Sequence, residues 1–164
     1  MRKNIEPLRS VALFQDLNDQ ALEALASLLE SKKLRAGQVI FREHDEADRL
    51  YIVAEGRVIV SKHITGDVDH VLTRFGPGEF FGEMGLFDSA PRSASAQTEE
   101  DSTLLTLGRD LFRKIVTEYP EMAAPICYRM VIVFIHRLRA TNEQAREAVR
   151  WGLEATGYSA LEES

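Results

Sequence analysis

Two periodicities follow one another along the chain. Behind Asn18, a residue suited to cap a helix, Leu22, Leu25, Ala26 and Leu29 recur at helical spacing. They predict a helix that ends near Ser31 and lays its leucine face on something apolar. From Lys33 the punctuation changes: Gly37, Gly56, Gly66, Gly76, Pro77 and Gly78 separate short runs rich in Val, Ile, Tyr and Phe. These runs predict strands near Lys32 to Arg35, Val39 to Arg42, Leu50 to Glu55, Arg57 to Ile64, Val68 to Phe75, Arg92 to Thr98 and Thr103 to Leu107. Short strands at such even spacing point to a sandwich or a jelly roll.

After Leu107 the helical period returns. Leu111, Phe112, Ile115 and Val116 mark a short helix that stops before Pro120. A long helix is then predicted from about Glu121, with Pro125 implying an irregular first turn or a later start. On it Cys127, Met130, Val131, Phe134 and Leu138 share one face, while Ile126 and Val133, with parts of Ile132 and Ile135, lie elsewhere around the cylinder. Two apolar faces want two neighbours, a barrel and a symmetric copy of the same helix, so a homodimer through helix 121–150 is expected. The polar stretch from Thr141 to Ser164, with Trp151, Gly152, Gly157 and Tyr158, reads as a helical continuation that frays. The expected organisation is one domain: a helical N-terminus (1–31), a strand-rich body (32–107), C-terminal helices (108–152) and a frayed tail (153–164).

Composition narrows the function. With 164 residues, 45% hydrophobic and 28% charged, the chain can bury one good core. A net charge of -6 disfavours non-specific nucleic-acid binding, so an anionic ligand needs a local positive site. The single Cys127 and the lack of a secretory leader fit a reducing cytoplasm. The longest apolar run, Val131 to Ile135 with Met130 before it, falls far short of the roughly 20 residues that cross a bilayer, so no membrane segment is expected.

Candidate chemistry concentrates in Phe81 to Ala96, FGEMGLFDSAPRSASA. Gly82 and Gly85 flank a Glu-Met turn, Pro91 stiffens the approach, and Arg92 is expected to open a strand of small residues. A helix opening at Gly82 would aim unpaired N–H groups at an anion. Arg92 would add a planar fork for two phosphate oxygens, with the Ser93 hydroxyl and the Ala94 N–H as further donors. Glu83 repels an anion but accepts hydrogen bonds from sugar hydroxyls. Ala94 and Ala96 leave room for a flat ring, and the set as a whole suits a phosphorylated sugar. Taken without context, the same residues also allow a plain Arg92–Glu83 salt bridge across a loop, with the glycines serving turns.

This segment closely resembles the phosphate-binding cassette of the cyclic-nucleotide-binding domain family. Leu34 to Val60, LRAGQVIFREHDEADRLYIVAEGRVIV, looks like that family's opening strands. The resemblance covers about Leu13 to Asn142 and implies an α+β, mainly β fold: an antiparallel jelly roll flanked by N-terminal helices and a long C-terminal helix. It further implies that Glu83 holds the ribose 2′-hydroxyl, Gly82 admits the backbone, Arg92 grips the cyclic phosphate, Ser93 adds a hydroxyl, and N–H groups near Met84, Gly85 and Ala94 complete the cradle. His136 to Gln144, HRLRATNEQ, is similar to the long helix of bacterial cAMP-receptor regulators. There the residue matching Thr141 contacts adenine, and the next residue reaches the partner subunit's ligand. Asn142 departs from the usual Ser at that second position. Thr141 favours cAMP as the ligand, while Ser93 keeps cGMP possible.

Other features carry less. His44, His63, His70 and His136 do not cluster as metal ligands would in a cupin, and no metal site is expected. Cys127 sits on an apolar face, where a nucleophile is not expected. Glu99, Glu100 and Asp101 read as a solvated acidic turn, and Arg129, Arg137, Arg139, Arg146 and Arg150 as solvated or paired positions, with Arg137 able to face a ligand. The chain has nothing after Glu147 long enough for a helix-turn-helix, so direct DNA binding is not expected. The overall expectation is a non-catalytic cyclic-nucleotide sensor, most readily for cAMP, that repositions its C-terminal helix and passes its output to an effector protein or a further domain. A regulatory piece of a channel or transporter is a version of this reading. A jelly-roll scaffold with no second-messenger ligand is the alternative.

Overall fold

The computed structural model describes residues 5–66 and 68–156. The chain divides into two compact units, Met1–Ile126 and Cys127–Ser164.

In the first unit, α1 (Glu6–Arg9) precedes α2 (Asp19–Leu28). Asn18 caps α2 as its side chain predicts, accepting a hydrogen bond from the Ala21 N–H at 2.9 Å. The helix stops before the predicted Ser31 because Leu29 turns extended (φ −73°, ψ 140°). Glu30 and Ser31 therefore enter β1 (Glu30–Leu34), opposite Thr106 and Leu105.

The remaining strands are β2 (Val39–Phe41), β3 (Arg49–Glu55), β4 (Val58–Thr65), β5 (Val68–Phe75), β6 (Phe80–Phe81), β7 (Ser95–Thr98) and β8 (Ser102–Gly108), with α3 (Met84–Phe87) between β6 and β7. They form two four-stranded sheets, ordered β1-β8-β3-β6 and β2-β7-β4-β5. Every pairing is antiparallel. The fold is thus α+β and mainly β, a jelly roll followed by a long helix. Inward residues of both sheets meet in a core of Tyr51, Val53, Val58, Phe75, Phe81, Ala96 and Leu104. β6 was not anticipated, since its two residues are both buried and show no alternation.

α4 (Arg109–Glu118) follows β8 directly and buries Phe112 and Ile115. α5 (Pro120–Ala155) starts one residue before the predicted Glu121 and passes through Pro125, so the expected later start is not seen. The reason lies at its first turn. Pro120 has no N–H to satisfy, and the Tyr119 carbonyl accepts from both Met122 and Ala123 at 3.0 Å.

In the second unit α5 continues to Ala155, so residues 153–155, expected to fray, are helical. The rest of the expected tail, including Gly157 and Tyr158, lies outside the described residues. Tyr128, Val131, Ile135 and Leu138 are exposed at 62, 52, 39 and 61%. Cys127 is half-buried, and that burial pushes its thiol pKa up.

Candidate functional site

Arg92 is the centre of the site, and it is buried, with 6% of its surface exposed. Its backbone is held by a loop rather than by a sheet: the Arg92 N–H donates to the Asp45 carbonyl at 2.9 Å, and the His44 N–H donates to the Arg92 carbonyl at 2.8 Å. These bonds correct the expectation of a strand from Arg92. With its backbone groups engaged by the loop, pairing between β7 and its neighbours begins at Ser95, opposite Ser61.

The side chain points inward. Nη1 donates to the Gly82 carbonyl at 3.0 Å and Nη2 to the Arg49 carbonyl at 2.9 Å. Its Cζ lies 4.2 Å from the Phe41 ring centroid and 5.6 Å from that of Tyr51, within cation–π range. Nε is buried with no hydrogen-bond partner among the described residues. Burial pushes the guanidinium pKa below its ordinary value, against support from Tyr51 and from the carboxylates of Asp48 and Glu83. Arg49 acts in the same direction as burial. Arg92 is thus a buried cation whose Nη groups hold neutral carbonyls and whose Nε has no partner among the described residues, an arrangement whose chemistry suits an oxyanion.

Gly82 supplies the close approach. It has φ +73°, and a Cβ there would stand 2.7 Å from Arg92 Nη1 and 3.3 Å from the Arg49 carbonyl oxygen. Only glycine combines that backbone angle with that clearance. Next to it, Glu83 is buried and precedes α3, which begins at Met84, two residues after the expected opening at Gly82. Met84 is exposed, whereas Gly85 is buried against Ala47. The Gly85 N–H donates to the Gly82 carbonyl at 3.2 Å, so this donor is already engaged within the turn. Ser93 is exposed, and Ala94 and Ala96 are buried. Of the expected site residues, Gly82 bonds the Arg92 guanidinium directly and Glu83 acts on it electrostatically, while Met84, Gly85, Ser93 and Ala94 lie beside them along the chain in the first unit. Thr141 and Asn142 are exposed residues of α5 in the second unit, and the Thr141 hydroxyl donates to the Arg137 carbonyl at 2.9 Å.

Sequence reasoning missed several participants. Phe41 and Tyr51 form the aromatic bed beneath Arg92; their rings are 5.6 Å apart, and Tyr51 stacks on Phe81 at 5.3 Å. Asp48 binds the Arg49 guanidinium through two bonds of 3.0 and 2.9 Å, and that contact holds the Asp48 carboxyl below its usual range. Arg109 bonds the main-chain carbonyls of Gly85 within α3 and of Asp88 just after it. The acidic turn is exposed as expected, and two of its carboxylates are engaged: Glu99 accepts from Arg74 at 3.1 Å, and Asp101 accepts from the Ala36 N–H at 2.8 Å. No group of three or more His, Cys, Asp or Glu among the described residues is placed to hold a metal ion. No described helix is long and apolar enough to cross a membrane.

Comparison with known proteins identifies the family and the fold. The model of the cyclic nucleotide-binding domain matches residues 31–119. The chain is 30% identical over 144 residues to a CRP-like cAMP-activated global transcriptional regulator of Mycobacterium tuberculosis, covering 88% of this chain and 62% of that protein. The chain thus spans under two thirds of that relative's length. Among solved structures, the N-terminal domain of a transcriptional regulator from Streptomyces coelicolor matches with a TM-score of 0.71 at 31% identity, over 85% of this chain and 95% of that one. The regulatory domain of Toxoplasma gondii PKA, crystallised with cAMP, matches with a TM-score of 0.60 at 36% identity, over 68% and 42% respectively.

Proposed function

This chain belongs to the cyclic nucleotide-binding domain family, and on that premise we propose that it is a non-catalytic cyclic-nucleotide sensor, with cAMP the preferred ligand. The observation that carries the reading is the buried Arg92 guanidinium with its unpartnered Nε, set against the backbone at Gly82. A cyclic phosphate satisfies that donor and neutralises a charge the fold otherwise keeps at a desolvation cost. Glu83 accepts from the ribose 2′-hydroxyl, which separates a nucleotide from a bare phosphate. Ser93 and the backbone near Met84 and Ala94 complete the anion site, since the Gly85 N–H is engaged by the Gly82 carbonyl. Thr141 reads the adenine amino group and gives cAMP its advantage over cGMP.

The output is a shift of the helix population in α5. A ligand moves such an equilibrium only by binding one arrangement better, and the Thr141 contact supplies that difference. The protein acts as a homodimer in the cytoplasm. Support for the dimer comes from Tyr128, Val131, Ile135 and Leu138, exposed at alternating spacings of three and four residues. Asn142 continues that series, at a position where Asn in a two-stranded coiled coil sets pairing and register.

Isothermal titration of wild type and Arg92→Ala with cAMP and cGMP tests the reading. Wild type is expected to bind both, cAMP more tightly, and the variant to lose binding. Absence of binding to either nucleotide, with the two proteins behaving alike, overturns it.

A further inference from the structure

The sheet β1-β8-β3-β6 has a second face, turned away from the inner core and toward α1 and α2. Along β8, Leu104 belongs to the inner core, and its neighbour Leu105 takes the opposite side. On the helical side the leucines are well packed, with Leu8, Leu22 and Leu25 almost fully buried. Yet a cavity of about 440 Å³ opens between Leu8, Ala26 and Leu29 on that side and Ala54 and Leu105 on the sheet. Two alanines, Ala26 and Ala54, stand where larger side chains would close it.

The backbone departs from regular pairing at the same place. Val53 stands opposite Leu104 and Glu55 opposite Thr103, so β3 carries one residue more than β8, Ala54, in a bulge. In an unbroken strand Glu55 would share the core-facing side of Val53. The bulge turns it to the side of Thr103, whose hydroxyl donates to Glu55 Oε2 at 2.9 Å, and both residues line the cavity. The other polar groups of the lining are Ser31, opposite Leu105 on β1, and Glu6. No Lys, Arg or His lines it. The nearby Arg9 is occupied by Glu6 at 3.4 Å and by Asp19 at 2.7 Å, whereas Glu55 is in no ion pair among the described residues. An apolar cavity with a carboxylate brought to its wall by a bulge asks for more than packing.

We propose that this cavity binds a small amphipathic amine, with its apolar body among Leu8, Ala26, Leu29 and Leu105 and its ammonium on Glu55. The volume falls within the range of small-molecule sites, about 300–1,000 Å³. At about 30 Å³ for each water-sized group, it holds a body of about ten non-hydrogen atoms. A cationic head meets the carboxylates of Glu55 and Glu6, and an anionic head meets the same two charges with no cation to offset them. The Arg92 bed lies on the other face of the sheet, where Tyr51 belongs to the inner core, so the proposal does not depend on the nucleotide reading.

The test titrates the full chain, without nucleotide, with octylamine, 1-octanol and octanoate, which share one body and differ in head group. Binding is read from Ala and Leu methyl resonances. With octylamine, wild type is expected to show saturable shifts confined to the methyls around the cavity, those of Leu8, Ala26, Leu29, Ala54 and Leu105. Octanol is expected to shift the same methyls with about tenfold lower affinity, and octanoate to shift none. Glu55→Gln is expected to bind octylamine about tenfold more weakly and octanol as before. Ala26→Phe, which fills the cavity, is expected to bind neither, with circular dichroism confirming that it is folded. In wild type alone, absence of saturable shifts, shifts spread across the protein, or octanoate binding as tightly as octylamine overturns the proposal. Unchanged octylamine affinity in Glu55→Gln overturns the role of the carboxylate. None of these outcomes bears on Arg92, so this site and the nucleotide site fail separately.

Discussion

Replacing Gly82 by alanine separates two costs that structures usually mix. The first is backbone strain: an L-residue at φ +73° costs about 1 kcal/mol net of the entropy that alanine removes from the unfolded chain. The second is steric. The new Cβ stands 2.7 Å from Arg92 Nη1, a side-chain atom that would yield easily on a surface. Here it is buried and bonded to Gly82 itself, so relief means surrendering a charge-assisted hydrogen bond, about 2 kcal/mol. Gly37 is the natural control: it has φ +79°, yet nothing lies within 4 Å of a Cβ placed there. Gly37→Ala should therefore show the strain alone, a fall in Tm of about 3 °C, and Gly82→Ala should fall by about 10 °C. Calorimetry of the two variants measures the difference. Titration should then show Gly82→Ala weakened toward cAMP at least tenfold and Gly37→Ala unaffected. Equal Tm losses in the two variants would refute the steric argument, and full affinity in Gly82→Ala would refute the placement of the anion at Arg92.

Glu83→Gln should weaken cAMP by about tenfold, because an amide replaces a charged acceptor for the sugar hydroxyl, while leaving the melting temperature within about 2 °C; titration and melting curves check both. Asp48 has its pKa lowered chiefly by the hydrogen bonds from Arg49, so its contribution to stability is present above its unfolded value near about 3.9 and is lost as pH falls through the lower folded value. Melting curves between about pH 5 and pH 2 should therefore be flatter for Asp48→Asn than for wild type. Leu138→Asp should shift the protein from dimer to monomer in light scattering with no change in circular dichroism, and an unchanged dimer would remove this helix face from the interface.

The parts of the fold that were legible in the sequence are those governed by near neighbours. Asn18 announces its helix because its side chain closes on an N–H three residues away. β3 and β5 alternate or run apolar between glycines, and they lie within a residue of where the pattern puts them. What escaped is decided by distant partners. Phe80 and Phe81 make a strand only because Ile52 and Tyr51 lie alongside. Arg92 leaves the strand because Asp45 and His44, far back in the chain, claim its backbone. The cassette residues could be listed from their motif, but the aromatic bed of Phe41 and Tyr51 and the hold of Arg109 are separated from it by tens of residues. The misplaced charge at the first turn of α4 was the one local sign available for Arg109.

The bonded acceptors of both guanidiniums are main-chain carbonyls: Gly82 and Arg49 for Arg92, and Ala47, Gly85 and Asp88 for Arg109. A carbonyl oxygen is present whatever side chain its residue carries. Evolution can therefore rewrite Ala47, Arg49 or Asp88 without erasing the acceptor, provided the backbone path stays put. In a saturation library selected for nucleotide binding, Arg92, Gly82 and Glu83 should be intolerant islands among residues that lend only their carbonyls. On the proposed reading, arginines, a chain trace and the Glu83 acceptor for the sugar are all that such a site needs, an economical code for a domain whose relatives share only about a third of their residues with it.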